Sequence, residues 1–331
     1  MEKIDFVITW VNCNREKWQN SRKKYLKNED VIENIDDSIE RFRDWDLLKY
    51  WFRSIESNAE WVNKIFLVLS DEDQIPKWLN TNCERLKIVF HNEFIPDKYL
   101  PTFNSCVIEE YLYKIEGLSE RFVYFNDDVF LNKKVKPSDF FVHGIPKDDF
   151  ILTPINPSYD ISANIEFNCM KIINKHFNFK NTPKSMLFNL KYGKYLYKNL
   201  TLSVYPTNVG IRFSHLCTSF NKKTFSEVWL NETKYLENVG NSKFRSNNDV
   251  SQWLFQFWQI ASGNFKIRNV NDGKFYDLGK SFKKAVKDIR KSQHKIICIN
   301  DSNDILDFEK KKKFISEVFM NKYGSKSQFE R

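Results

Sequence analysis

Four short apolar runs, each followed by polar sequence, dictate what the first part of this chain can fold into. "IDFVITW" (Ile4–Trp10), "KIFLVLS" (Lys64–Ser70), "LKIVFHN" (Leu86–Asn92) and "RFVYF" (Arg121–Phe125) have strand length and are too short for buried helices. Helical periodicity separates them. In "DWDLLKYWFRSIESN" (Asp44–Asn58), Leu47, Leu48, Trp51, Phe52 and Ile55 recur on one face, and the acidic first turn favours a helix start. "SCVIEEYLYKIEG" (Ser105–Gly117) reads as a second helix, with Ser105 as N-cap and Gly117 as stop. Strands alternating with helices over such distances pair in parallel through crossovers. The expected class is α/β: a Rossmann-like, mainly parallel sheet flanked by helices, with a largely helical and loop insertion.

Three segments follow from this pattern. Residues 1–140 form the α/β core. Residues 141–240, with weak periodicity and many Asn, Lys and aromatic residues, form an insertion or lid. Residues 241–331 return to the core through an amphipathic helix (Asn247–Gly263), a late strand (Lys295–Asn300) and a final helix (Ser302–Phe319). No glycine-rich phosphate loop is present, and with nine glycines in 331 residues that absence is informative.

In such sheets ligands bind beyond the carboxyl ends of the strands. There the fourth strand runs into Asn126, Asp127 and Asp128 before turning apolar again at Val129–Leu131. Adjacent aspartates between apolar walls repel each other unless a counter-charge accompanies them. A divalent cation that also holds a diphosphate meets that need, since Mg²⁺ (or Mn²⁺) takes hard oxygen ligands and few of them. A surface loop is the ordinary alternative for a bare Asp-Asp pair. Asp71 and His91 follow the second and third strands and share the same rim. His215, one of five histidines, is a candidate general base near neutral pH, against the commoner structural role. Arg245 precedes the amphipathic helix, where a guanidinium suits a phosphate; its alternative is a surface ion pair with Asp249. Trp10 could be core or a base contact, and Arg53 sits one position past Phe52 on the first helix.

The formal charge is +9 from 52 Lys and Arg against 43 Asp and Glu. A surplus of that size favours anionic partners, although a solvated lysine surface explains it equally. The "EKKKK" run in the final helix is read as a solvated face. Six cysteines stand singly without a C-x-x-C pair, which excludes zinc knuckles and points to a reducing compartment. Cys106 and Cys298 read as core thiols. The sequence enters a strand at once, without a leader pattern, and has no span of about 18 apolar residues. A cytoplasmic protein is expected, any membrane contact being peripheral at the inner face.

Four blocks together resemble the stealth family of sugar-phosphate transferases. "IDFVITWVN" is similar to its first conserved region. The stretch from "LLKYWFRSIESNAEWVNKIFLVLSDEDQIPKWL" to "LPTFNSCVIEEYLYKIEGLSERFVYFNDDVFL" is similar to the second. "FSHLCTSFNKKTFSEVW" resembles the third and "KFRSNNDVSQWLFQFWQIASG" the fourth. Cys13 stands where the family commonly has glycine, "SDEDQIP" widens a turn, and Cys217 and Thr218 replace a proline and second histidine of some members.

The resemblance implies transfer of hexose-1-phosphate from a nucleotide diphosphosugar, with a lean to UDP-sugars such as UDP-GlcNAc, to a hydroxyl of a capsular or cell-surface glycan. UMP would leave. By family position, Asp127, Asn126, His215 and Arg245 are catalytic, Asp127 and Asp128 hold the metal, and Asp5, Trp10, Asn12, Arg53 and Asn104 bind the donor. The implied partners are the donor and a glycan acceptor, with no nucleic acid, and with room for contact to a membrane or capsule-assembly machinery. The short chain favours the bacterial branch. Two alternatives stand beside this: a metal-dependent glycosyltransferase releasing UDP, and a non-catalytic basic glycan- or nucleic-acid-binding protein.

Overall fold

The computed structural model describes residues 3–26, 43–156, 161–302 and 304–331. Strands β1 (Ile4–Thr9), β2 (Ile65–Leu69), β3 (Leu86–Phe90) and β4 (Arg121–Phe125) are parallel, in the order β4-β1-β2-β3. Strand Thr218–Asn221 pairs antiparallel with β4 and completes a five-stranded sheet. The fold is therefore α/β with a mainly parallel sheet, as the alternation of elements requires.

The near-continuous apolar runs have a direct cause: both faces of the sheet are covered. Helix α1 spans Glu16–Leu26; Phe6 and Ile8 point into one core, together with Trp51, Phe52 and Ile55 of helix α2 (Leu48–Asn58). Val7 points the opposite way, into a second core shared with Cys106 and Val107 of helix α3 (Ser105–Tyr111) and with helix Gln252–Ala261.

The arrangement that matters for function begins where β4 ends. After Asn126, Asp127 and Asp128 the chain enters β5 (Val129–Leu131), which belongs to a different sheet. Here β5 pairs antiparallel with strand Ile296–Asn300, and that strand pairs in parallel with Gly273–Asp277. Three residues thus span a seam between two buried sheets. The Ile299 N–H donates to the Asp128 carbonyl at 2.9 Å, and the Val129 N–H to the Asn126 carbonyl at 3.1 Å, so the seam is pinned on both sides.

Several boundaries differ from the sequence reading. Helix α2 begins at Leu48, with no acid in its first turn, and Asp44 is released to other work. The cap of α3 is Asn104, whose Oδ1 accepts from the Cys106 N–H at 3.0 Å; Ser105 is the first helical residue. Its helix closes at Tyr111 and tightens into a 3₁₀ turn, Leu112–Lys114, before Gly117. The amphipathic helix is shorter, Gln252–Ala261, with Ser251 as its cap, and the last helix runs Phe308–Lys322.

Two expected donor residues are structural instead. Asp5 lies at the amino end of β1, the edge away from the seam, and is fully buried. Its Oδ1 accepts from Asn63 Nδ2 at 2.7 Å and the Lys64 N–H at 3.1 Å, and its Oδ2 from the Ser119 N–H at 2.7 Å. It fastens the turns that start β2 and β4. Arg53 forks onto Glu330, with Nε at 2.8 Å and Nη2 at 2.7 Å, while Nη1 donates to the Tyr323 carbonyl at 2.9 Å. It clamps the C-terminal tail to α2. Breaking one side of a buried pair leaves an uncompensated charge, at a cost of about 3–5 kcal/mol. Arg53→Met is therefore expected to lower unfolding stability by about that amount, with turnover per folded molecule unchanged. Denaturant melts paired with activity on the folded fraction check this, and a loss of turnover without a loss of stability contradicts it.

Candidate active site

A cleft of about 690 Å³ opens above the carboxyl ends of β1, β2 and β4. Asn126, Asp127 and Asp128 line it, as do Trp10, His91, His215 and Arg245. Five residues singled out by the sequence as catalytic or metal-binding are thus brought together from across about a third of the chain. Asn12 lies in an adjoining pocket of about 320 Å³ that shares Trp10, and its N–H donates to Gln74 Oε1 at 2.6 Å. Asn104 is fully buried and lies behind the wall. Its Nδ2 donates to Asp249 Oδ2 at 2.8 Å and to the Phe244 carbonyl at 3.2 Å, so it holds the loop that carries Arg245. Asp71 turns away to cap the turn Glu72–Gln74 and to pair with Lys17.

The aspartates occupy unlike environments. Asp127 is open to the water of the cleft yet enclosed by protein on its other sides. That enclosure, then Asp128, then Asp44 push its carboxyl up to about 7. Asp128 is more enclosed. Its Oδ2 accepts from Cys298 Sγ at 3.1 Å and lies 3.8 Å from His215 Nε2. Its Oδ1 is buried with no hydrogen-bond partner among the described residues. A buried carboxylate oxygen without a partner, beside a carboxyl whose pKa is raised, has donor capacity to spare. The donor chemistry fits a divalent ion.

Donor atoms of Asp128, His215 and Cys298 all lie within 4.8 Å of one another, so a second ligand set is available in space. Cys298 is a poor member of it. Burial, then Asp128 and Asp127, hold its thiol well above the usual range, and a metal takes the thiolate. It serves as an S–H donor that fixes Asp128. The remaining oxygen ligands favour hard ions of the Mg²⁺ or Mn²⁺ kind.

His215 sits in a left-handed turn, φ 50°, a conformation disfavoured for a residue with a side chain. Its ring lies 5.2 Å from Phe275 and 5.4 Å from Phe213, which in turn stacks 4.0 Å from Trp253. The turn is held from beneath by buried Arg268, which donates to Ser214 Oγ at 3.0 Å and to the Cys217 carbonyl at 3.4 Å. Arg268 is neutralised by Asp148 at 3.2 Å and Asp149 at 3.1 Å. Arg245 reaches Ser105 Oγ with Nη2 at 2.6 Å and Nε at 3.2 Å, on the opposite lip.

Sequence reasoning missed Asp44, Cys298, Arg268 and the aromatic wall of Phe213, Trp253 and Phe275. Trp253 lay on an apolar helical face and read as core, and Cys298 sat in an apolar run. Neither carried a local signal.

Known proteins compare with this arrangement as follows. Stealth protein CR1, conserved region 1, matches residues 2–30, and Stealth protein CR2, conserved region 2, matches residues 41–149. The capsular polysaccharide phosphotransferase WcwK of Streptococcus pneumoniae is 40% identical over 334 residues, covering 100% of this chain and 99% of that one. The chain belongs to the Stealth family. The receptor polysaccharide phosphotransferase WefC of Streptococcus oralis is 39% identical, covering 93% of each chain. A galactosyltransferase LgtC structure with donor and acceptor sugar analogs superposes at a TM-score of 0.41 with 9% identity, over 98% of this chain and 96% of that one; a likeness so weak says nothing of chemistry. In this Stealth chain, conserved region 2 carries Arg53, Asn104 and Asn126–Asp128. His215 and Arg245 lie outside the two matched regions but inside the span aligned with WcwK.

The raised Asp127 carboxyl has a readable consequence. Its folded value, about 7, exceeds the 3.8 of an ordinary aspartate, so the native state of metal-free protein binds the extra proton between those limits. Stability from this group is full below about 4 and is lost as pH rises through about 7. Asp127→Asn is expected to flatten that fall and to melt higher than the parent at pH 8 in chelator. Adding Mg²⁺ or Mn²⁺ should raise the melting temperature of the parent and not of the variant. Parallel pH profiles for the two proteins would contradict the assignment.

Proposed function

We propose that this protein transfers a hexose-1-phosphate from a nucleotide diphosphosugar to a hydroxyl of a glycan acceptor, extending or decorating a capsular or cell-surface polysaccharide. The observation that carries the reading is the convergence of Asp127–Asp128, His215 and Arg245 on one cleft, with His215 Nε2 3.8 Å from Asp128 Oδ2. A hydroxyl that attacks phosphorus must give up its proton next to the metal-held diphosphate, and an imidazole beside the carboxylates suits that task.

Asp127 and Asp128 would hold Mg²⁺ or Mn²⁺, which when bound neutralises diphosphate charge. Asn126 presents an amide beside them to orient a phosphate oxygen. Trp10 and Asn12, in and beside the cleft, frame the nucleoside, for which uridine is favoured by family. Asp5 and Arg53 have no part in this, and Asn104 acts only through the Arg245 loop. His215 takes the acceptor proton on its ring as the hydroxyl oxygen bonds to the sugar-bearing phosphorus. The bond from that phosphorus to the bridging oxygen breaks, and UMP leaves with the electron pair. Arg245 faces the phosphoryl oxygens, where charge builds in the transition state. The reaction belongs on the cytoplasmic face of the membrane, where nucleotide sugars are made, and the protein would attend it peripherally; no helix among the described residues is long and apolar enough to cross.

The test is product analysis with UDP-sugars, an acceptor oligosaccharide and Mg²⁺. UMP is expected only when acceptor is present. Chelator should abolish it, and His215→Ala and Asp128→Ala should lower kcat by about a hundredfold or more. UDP in place of UMP would overturn phosphate transfer in favour of glycosyl transfer.

A further inference from the structure

The chain's positive surplus is concentrated in one place. Between Phe167 and Ser226 there are nine lysines, one arginine and no aspartate or glutamate, so these sixty residues hold ten positive charges, whereas the whole chain nets +9. Within the segment lies helix Leu196–Leu202, whose inward face carries an asparagine beside the half-buried Leu202. Asn199 is fully buried; it donates to the carbonyls of Phe150 at 2.7 Å and Leu187 at 2.6 Å and accepts from the Leu152 N–H at 2.7 Å. Apolar side chains face outward instead: Tyr197 is 60% exposed and Leu200 56%, continuing to Val204 at 79%. Tyr197 and Leu200, three residues apart, share one face of the helix, and Val204 lies just past its end. Leu190, at 88%, and Tyr205 are exposed in the flanking turns. Scattered exposed apolar residues are ordinary, but an apolar helix face held outward by a buried asparagine is not. In the same segment Lys180, Lys184, Lys191 and Lys194 are exposed and form no ion pair among the described residues.

We propose that this face docks on an anionic lipid bilayer. Apolar side chains amid lysines, with tyrosines at the margin, match the chemistry of a bilayer interface: acyl chains below, negative headgroups above. A soluble polyanion would be met by the lysines alone and gives no reason for the exposed apolar side chains. The face is also joined to the site. Asn199 grips strand Leu152–Thr153, which pairs with Gly210–Ile211, and that strand leads within four residues to His215. Docking here would tether the segment that carries His215 to the membrane surface, where an acceptor can be carried on a lipid.

Vesicle flotation of the full chain tests this without any turnover, so its outcome is independent of the phosphotransfer reading. The protein is expected to float with vesicles of phosphatidylcholine plus phosphatidylglycerol and to stay down with phosphatidylcholine alone. Lys184→Glu, Lys191→Glu and Lys194→Glu together should lower partitioning by about a hundredfold or more. Leu190→Ser, Leu200→Ser and Val204→Ser together should lower it by at least about tenfold. All six side chains are exposed, so both variants should melt like the parent. Reversing Lys310 and Lys313, in the other basic run, should leave flotation unchanged. Failure to float with either vesicle overturns the proposal. So does flotation that ignores the serine substitutions and is competed away by dextran sulfate, which would mark the face as a polyanion site.

Discussion

Two adjacent carboxylates at the seam between two buried sheets are the constraint on which the rest of the cleft depends. β4 and β5 are each buried, so Asp127 and Asp128 are held side by side at the cleft, Asp127 facing its water and Asp128 more enclosed. The backbone on either side is engaged in sheet or turn hydrogen bonds. With Asp44 adding a third negative group, the floor of the cleft is a region of uncompensated charge. Such a region is tolerable only if protons or a cation occupy it. Of the basic side chains lining the cleft, Arg43 forks onto Asp301, Arg245 reaches Ser105, and His215 lies 3.8 Å from Asp128 and becomes positive on taking a proton.

Behind the cleft the same logic is applied in a drier setting. Arg268 is buried against Asp148 and Asp149, and Gln256 Nε2 donates to the free oxygen of Asp148 at 2.8 Å. A network of this kind gives little net stability over an apolar packing, but it has only one satisfied arrangement. That suits its task, which is to hold the His215 turn in a left-handed conformation it would not choose. Asn104 and Asp249 act in the same way for the Arg245 loop. The polar residues that looked functional by family position divide into those that reach the cleft and those that hold its walls. Asp5 and Arg53 are further out still, fastening the sheet's far edge and the C-terminal tail.

Residues 141–240 are not all peripheral, since Thr218–Asn221 completes the central sheet. This segment contributes His215 to the cleft through the Gly210–Ile211 strand, and on its outer side it carries the lysines and the exposed apolar side chains. A single segment therefore connects the His215 turn to this exposed surface. Its weak sequence periodicity has a plain origin. Its short helices, four to seven residues in two cases, are anchored by side chains such as Asn199 and Tyr192 more than by an amphipathic face.

Much of the core was legible in the chain. Parallel strands buried on both faces must be continuously apolar, so β1 to β4 announce themselves over five or six residues. The Asn126–Asp128 turn stands out because charge between two such runs has no structural excuse. The helix boundaries were less legible, since Leu47 and Asn104 end up as caps on tertiary contacts that no local pattern records. What only the folded chain decided is which polar residues meet. Asp44, Asp128, His215 and Cys298 are separated by tens to hundreds of residues, and each taken alone has an ordinary local context. Their proximity arises from the crossing of two sheets, and pKa shifts and orphaned oxygens exist only once that crossing is made. Sequence determines where apolar surface must be hidden; the charges then lie wherever the hiding leaves them, and that is settled in three dimensions.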